Sequence, residues 1–379
     1  MKSLILKYFT DSLNETEKEQ LLNLLEKPEN LKEFKAYAKE NYHLNIVYDD
    51  INEEAALLKV KSVIQNQEKP VRKFYWRYAA VAASIVLLIS IAFIFNKNDG
   101  QVVEPVIVNN NIKVGTDKAS LTLGDGSVIV LEKGKEYITD NIESTGEDLV
   151  YSKPKETKVE VAYNYLTIPR GGQYHVILSD GTEVWLNSES QLKYPVSFTD
   201  GESRQVELVY GEAYFEVSHS IEHKGSDFNV HHQGQDIQVL GTKFNVKAYK
   251  GENNIYTTLV QGKVAVGYQD IKKILLPNDQ SVLNTRTGLL KVDHLSSVYN
   301  EIAWKDGVFS FDDMPLKEIA KALERWYNME VIFKNKELEK LVFIGKIKKS
   351  QSIVEILNAI KNASIINSYQ IKNKMITLE

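Results

Sequence analysis

Eighteen consecutive residues, Tyr78–Phe95 (YAAVAASIVLLISIAFIF), carry no charge, no proline and no glycine, and only Ser84 and Ser90 interrupt the apolar run. As a helix rising 1.5 Å per residue the run is about 27 Å long, close to the roughly 30 Å hydrocarbon core of a bilayer. Arg77 and Lys97 at its ends can snorkel to headgroups, and Tyr75, Trp76 and Tyr78 suit the interface. The run predicts a single transmembrane helix with Tyr78 and Phe95 as its ends; a buried core helix is the alternative. A cleaved signal peptide is disfavoured because 77 residues precede the run. Lys69, Arg72, Lys73 and Arg77 crowd the N-terminal flank, against Lys97 followed by Asp99 and Glu104. Positive charge stays inside, so residues 1–77 are expected in the cytoplasm and 97–379 outside it, in the periplasm of a Gram-negative host.

The 379 residues leave room for two or three domains, and apolar and charged fractions of 43% and 26% exclude wholesale disorder. A formal charge of −5 argues against a nucleic-acid surface. The chain has no cysteine, which excludes disulfides, thiolate metal sites and cysteine nucleophiles.

Residues 1–77 read as helical. Asn14 and Glu17 fit an N-cap with an acidic third position before Leu21, Leu22, Leu24 and Leu25. Pro28 and Asn30 end that helix; a second carries Leu31, Phe34 and Ala38, and a third Ile51, Ala55 and Leu58. Thirteen basic residues balance thirteen acidic ones here. Either this is a small bundle that folds alone, or its apolar stripes complete their burial on a partner protein.

Beyond an Asn-rich stretch (Asn96, Asn98, Asn109–Asn111) the periodicity becomes two. Leu121–Leu131 reads as a hairpin over Asp125-Gly126, and Val176–Leu186 repeats it over Asp180-Gly181, as though one module were used twice. A polar stretch, 141–160, reads as a second linker. Strands are then expected at Gln205–Tyr210, Ala213–Val217, Phe228–Val230, Ile237–Leu240, Phe244–Tyr249, Thr257–Val260 and Lys263–Tyr268. Such density implies a sandwich, a roll or a short β-helix. From Val308 the reading is a β-α-β-β-α-β-β module: a strand at Val308–Phe311, a helix striped by Leu316, Ile319, Ala320, Leu323 and Tyr327, and a strand at Val331–Phe333. Two strands follow around Gly345, then a helix striped by Ile353, Ile356, Leu357 and Ile360, and a hairpin over Asn373.

Reactive motifs are sparse. His219 and His223 lie four apart with His231 and His232 close behind, but Ser218–Asp227 reads as a solvated loop, so no metal site is expected. No P-loop, nucleophile elbow or His-Glu-x-x-His motif occurs. The two Asp-Gly pairs read as turn chemistry. Trp326 and Tyr327 close a helix and read as core closure, with a partner docking there as the functional alternative.

The run Tyr165-Leu-Thr-Ile-Pro169-Arg170-Gly171-Gly172-Gln173-Tyr174, followed by Leu178-Ser-Asp180-Gly181-Thr182-Glu-Val184-Trp185-Leu186-Asn187, resembles the core signature of FecR-like anti-sigma factors. The resemblance continues through Tyr194-Pro195, Gly211–Val217 and Val239–Val246 to Leu259–Val264, with Gln261 where members more often have glutamate. Trp304–Gly307 and Leu323–Tyr327 look like the extra domain of one branch, similar to the short signalling module of secretins and TonB-dependent transporters.

The resemblance implies a multi-domain protein. Its expected parts are a small all-α cytoplasmic sigma-binding domain (1–77), one membrane helix (78–95), a linker with the first hairpin (96–160), an all-β periplasmic domain (161–300) and a C-terminal α+β module (301–379). It implies an inner-membrane transducer, not an enzyme and without cofactor or metal, that controls an extracytoplasmic-function sigma factor. The signalling domain of a TonB-dependent outer-membrane transporter would be its partner outside, and periplasmic and intramembrane proteases would relay the signal. Leu21, Leu22, Leu25 and Phe34 are the expected sigma-binding residues, and Trp326 and Tyr327 the expected transporter-docking ones. Some relatives cleave themselves within a Gly-Thr-x-Phe pattern, here Gly241-Thr242-Lys243-Phe244; a plain turn and strand is the bland reading. The competing function is a membrane-anchored structural or carbohydrate-binding adaptor.

Overall fold

The computed structural model describes residues 106–108, 111–152, 162–363 and 365–379, all within one compact unit, Pro105–Glu379. The expected helices of residues 1–77, with Leu21, Leu22, Leu25 and Phe34, and the run Tyr78–Phe95 lie outside the described residues. Among the described residues no helix is long and apolar enough to cross a membrane.

Among the described residues between Thr116 and His294 the regular structure is β apart from the short 3-10 helix Ser220–His223, and burial alternates along strands such as Gly172–Ile177 and Ser190–Pro195. Eighteen strands join in two layers that share one strand. The first layer pairs Val128–Glu132, Thr116–Thr122, Tyr163–Ile168, Ser190–Pro195 and the first half of Arg204–Glu216. It continues through Phe228–His232, Gln235–Val239, Val264–Tyr268 and Ile271–Leu275. The second pairs Tyr137–Ile138, Ile142–Ser144, Asp148–Tyr151, Gly172–Ile177, Glu183–Leu186 and the second half of Arg204–Glu216. Lys243–Ala248, Asn254–Gln261, Asp279–Asn284 and Leu289–His294 complete it. A single core lies between them, with Leu166, Leu192, Val206 and Val230 from one layer and Val176, Leu186, Phe215 and Phe244 from the other.

The shared strand corrects the expectation of two strands at Gln205–Tyr210 and Ala213–Val217: Arg204–Glu216 is continuous. Its partner changes at Gly211, with φ of 103°. Up to Tyr210 it pairs with Ser190–Pro195, and from Gly211 onward with Lys243–Ala248. A Cβ at Gly211 would lie 2.2 Å from Ser190 Oγ and 2.4 Å from Ser190 Cα, so the crossover needs glycine for both conformation and space.

The two Asp-Gly hairpins are built alike. Asp125 Oδ1 accepts from the Ser127 amide at 2.9 Å, and Asp180 Oδ1 from the Thr182 amide at 3.0 Å. In each, the glycine amide (Gly126, Gly181) donates to the carbonyl of a leucine (Leu123, Leu178) at 2.9 Å. The stretch 141–160, read as a linker, instead supplies the strands Ile142–Ser144 and Asp148–Tyr151, with Ile142, Leu149 and Tyr151 in the main core. Short alternations between polar residues hid them. Three further strands follow Tyr268 where none was expected; Ile271–Leu275 is exposed over four of its five residues, which erases the alternation.

The C-terminal module has its own core, including Leu316, Ile319, Leu323, Tyr327, Ile356 and Ile360. Helix Leu316–Tyr327 starts at Pro315 and ends on Asn328 in the left-handed region, φ 47°. Helix Ile353–Asn362 opens with a full capping box of Ser352 and Glu355. The two short strands expected around Gly345 are one, Val342–Lys348, paired with Val308–Pro315. The remaining sheet has the order Val106–Val108, Tyr369–Lys372, Met375–Leu378, Glu330–Phe333.

Replacing Gly211 by valine adds both a clash and a disfavoured φ. The expected loss is about 3 kcal/mol or more, read as a lower denaturation midpoint, whereas Gly181→Ala, with open space around it, costs less.

Candidate functional site

Two places concentrate polar chemistry. The first is the Gly241–Thr242 turn between strands Gln235–Val239 and Lys243–Ala248. Gly241 has a φ of 143°, and a Cβ there would sit 2.7 Å from the His219 ring. From the opposite side Gly262 approaches, leaving 2.9 Å between its would-be Cβ and Thr242 Oγ1. Thr242 is buried, and its hydroxyl donates to the Lys263 carbonyl at 3.2 Å. The peptides on either side are clamped: the Leu240 carbonyl accepts from Ser220 N at 2.7 Å and the Thr242 carbonyl from Val217 N at 3.0 Å. A glycine in a backbone region that other residues rarely enter thus sits next to a buried hydroxyl held on the Lys263 carbonyl.

Beside the turn lies a buried network that sequence reasoning missed. Arg204, 1% exposed, donates to Asp180 Oδ2 at 2.7 Å and to Ser218 Oγ at 2.8 Å. Ser218 Oγ in turn meets His223 Nε2 at 2.8 Å. Asp180 is therefore more than the turn residue it was read as: its second oxygen accepts from Thr182 Oγ1 at 2.7 Å and pairs with the guanidinium. The available signal was parity, since Arg204 shares the inward face with Val206 and Leu208. The histidines also depart from expectation. Ser220–His223 is a short 3-10 helix capped by His219, and His223 and His232 are buried, not solvated. His232 Nδ1 donates to the Leu208 carbonyl at 2.6 Å, and burial lowers its pKa. Among the described residues no group of three or more ligating side chains could hold a metal.

The second place is the junction of the β layers with the C-terminal module. The motif Pro169-Arg170-Gly171 receives the end of helix Leu316–Tyr327. Arg170 Nη2 donates to the Glu324 carbonyl at 2.8 Å and the Met329 carbonyl at 2.6 Å, and Gly171 N donates to the Arg325 carbonyl at 2.7 Å. A cation thus adds to the Asn328 amide on the Glu324 carbonyl, and the Gly171 amide meets the Arg325 carbonyl, both at the helix's negative end. Arg325 crosses back to pair with Glu252 and lies over the Tyr249 ring at 3.5 Å. Next to it a cavity of about 370 Å³ is lined by Glu212, Lys247, Glu301, Asp312, Glu318 and Arg325, among others. Burial raises the pKa of Glu301, opposed by Lys247.

Trp326 and Tyr327, expected to dock a partner, are buried here. Trp326 Nε1 donates to the Lys349 carbonyl at 2.9 Å and Tyr327 OH to the Gln351 carbonyl at 2.6 Å, so both close the module. Lys349 is buried as well. Its Nζ lies 3.8 Å from the Trp326 ring centroid and donates to Gln173 Oε1 of the β layers at 2.8 Å. Burial pulls its pKa down to about 7, against the pull of Glu212 and Asp117.

Two family models match the chain: FecR protein over residues 164–265 and FecR, C-terminal, over residues 308–378. Two crystal structures of a candidate anti-sigma factor from Parabacteroides distasonis ATCC 8503 are similar, at 31% and 30% identity with TM-scores of 0.51 and 0.50. Each covers 57% of this chain and 98% of its own. No curated protein matches.

The depressed pKa of Lys349 fixes a sign. Between about pH 7 and the ordinary lysine value of 10.5 the unfolded chain holds a proton that the folded one has shed, so this group's contribution rises with pH across that window. Comparing thermal midpoints of the native protein and Lys349→Met from pH 6.5 to 9.5 should show the native protein gaining relative to the variant as pH rises.

Proposed function

The chain belongs to the FecR family, and from that premise we propose that it is an anti-sigma factor that carries a signal across a membrane. The carrying observation is that the two regions matched by the family models are one docked unit, joined through Arg170 and Gly171 of the first and the helix end Glu324–Arg325 of the second. The similar crystal structures named for anti-sigma activity support the same role. The apolar run Tyr78–Phe95 supports a single inner-membrane crossing, with residues 1–77 facing an extracytoplasmic-function sigma factor and residues 97–379 in the periplasm. In this reading the signalling domain of a TonB-dependent transporter engages the periplasmic part. Proteolysis, ending inside the apolar run, then frees the cytoplasmic piece. Binding of the transporter must favour the protease-sensitive state over the resting one for the signal to pass.

The Gly241–Thr242 turn adds a single-turnover step to this proposal. The Thr242 hydroxyl oxygen attacks the Gly241 carbonyl carbon, and the C–N bond breaks as the amide nitrogen takes the hydroxyl proton. The result is an ester and a free amine on Thr242. Water then opens the ester, leaving a Gly241 carboxylate and restoring the Thr242 hydroxyl. The two halves stay together after the cut, because Lys243–Ala248 remains paired with Gly211–Glu216 and Val264–Tyr268 with Gln235–Val239, each pair joining one fragment to the other.

Mass spectrometry of the native protein should find a fragment beginning at Thr242, absent in Thr242→Ala; native protein found only as the intact chain overturns the step. Full-length protein from membranes should retain a sigma factor on affinity purification. Leu22→Glu with Phe34→Glu should lower that recovery about tenfold, a loss of roughly 1.4 kcal/mol in binding.

A further inference from the structure

The outer strand of the C-terminal sheet does not come from the C-terminal module. Val106–Val108 pairs in parallel with Tyr369–Lys372, in the register Val106 to Gln370, Ile107 to Ile371 and Val108 to Lys372. The Asn373 amide extends the ladder by donating to the Val108 carbonyl at 3.2 Å. These three residues precede the matched region 308–378 by about two hundred positions, and only residues 96–105 separate them from the apolar run.

Two features mark this strand as a weak occupant of a strong acceptor. Its pairing is parallel, slightly less stable per residue than antiparallel. Ile107 and Val108 stay 45% and 47% exposed although Ile371 beneath them is buried. The acceptor is complete by contrast: Tyr369–Lys372 is held on its other side by the hairpin to Met375–Leu378, with Tyr369, Ile371, Ile376 and Leu378 all buried. Its outward row of amides and carbonyls pairs with whatever extended chain lies there.

We propose that the outer edge of Tyr369–Lys372 is a strand-exchange site, held at rest by Val106–Val108 and taken over during signalling by an extended strand of a partner protein with aliphatic side chains at alternate positions. An incoming strand that makes more ladder bonds than the resident one holds the edge more tightly, which is how β-augmentation gains its affinity. Exchange releases Val106–Val108 next to the apolar run, as an extended chain open to proteolysis. The role in signalling rests on the function proposed above; the exchange itself does not.

The absence of native cysteine allows a direct test on the full-length protein. The double variant Val108→Cys/Lys372→Cys should oxidise to an intramolecular disulfide, identified as a cross-linked peptide by mass spectrometry; failure to form it overturns the resident pairing. For exchange, the probe is a labelled peptide carrying Val106–Val108 between glycine-serine flanks, with cysteine in place of Val108. It should disulfide-trap on Lys372→Cys about tenfold more when Ile107→Pro or Ile107→Asp has evicted the resident strand. Equal trapping with and without eviction, or equal trapping on a Lys336→Cys control, overturns the proposal. Trapping reads the edge alone, so its failure is distinct from a failure to bind a sigma factor.

Discussion

An α-helix cannot satisfy its own last carbonyls, and in this protein that shortfall joins two independently packed cores. The carbonyls of Glu324 and Arg325 project from the end of Leu316–Tyr327 and are met by the Arg170 guanidinium and the Gly171 amide of a tight turn in the β layers. The guanidinium bond contributes about 1.5–3 kcal/mol and the neutral amide bond about 0.5–1.5 kcal/mol. Gly115 is part of the same fit, since a Cβ there would come within 2.6 Å of the Trp326 ring. The helix end, its indole and the turn therefore form one seam, and Lys349 extends it to Gln173.

The seam gives the Pro169-Arg170-Gly171-Gly172 motif a physical meaning. Gly171 takes a φ of 73° in the tight turn, and its amide donates to the helix end. Gly172 leaves room beneath Lys118, whose carbonyl lies 2.9 Å from where a Cβ would stand. The Arg170 side chain reaches outward to a segment more than 150 residues away. The buried Arg204–Asp180 pair plays the corresponding part within the β layers, tying a hairpin turn to the shared strand and to the 3-10 helix that covers Gly241. Removing either partner alone would leave an uncompensated buried charge.

Much of the fold was legible because its signals are local. The two Asp-Gly hairpins, the helix stripes from Leu316 and Ile353, and the Asn373 turn depend on residues a few positions apart. Strands were misjudged where locality failed. The crossover at Gly211 looked like a break, because a glycine that lets a strand change sheets is indistinguishable in sequence from one that ends it. Ile142–Ser144 and Asp148–Tyr151 were lost among polar neighbours because each strand is too short to show a period. In the candidate site, Gly241 and Thr242 were visible as a motif, whereas the surrounding clamp assembles from two distant places, His219 beyond Arg204–Glu216 and the Gly262–Lys263 turn before Val264–Tyr268.

From the amino-acid order alone come the apolar run, the sheet-forming alternation, the hairpin chemistry and the family signature, since each is a matter of composition and short-range spacing. Only the folded chain decides that Lys349 sits at a domain seam and that Val106–Val108 joins a sheet built from the far end of the molecule. Pairing between strands carries no residue code of its own: backbone amides and carbonyls are the same at every position, so which edge a segment completes is set by where the packed cores leave one open.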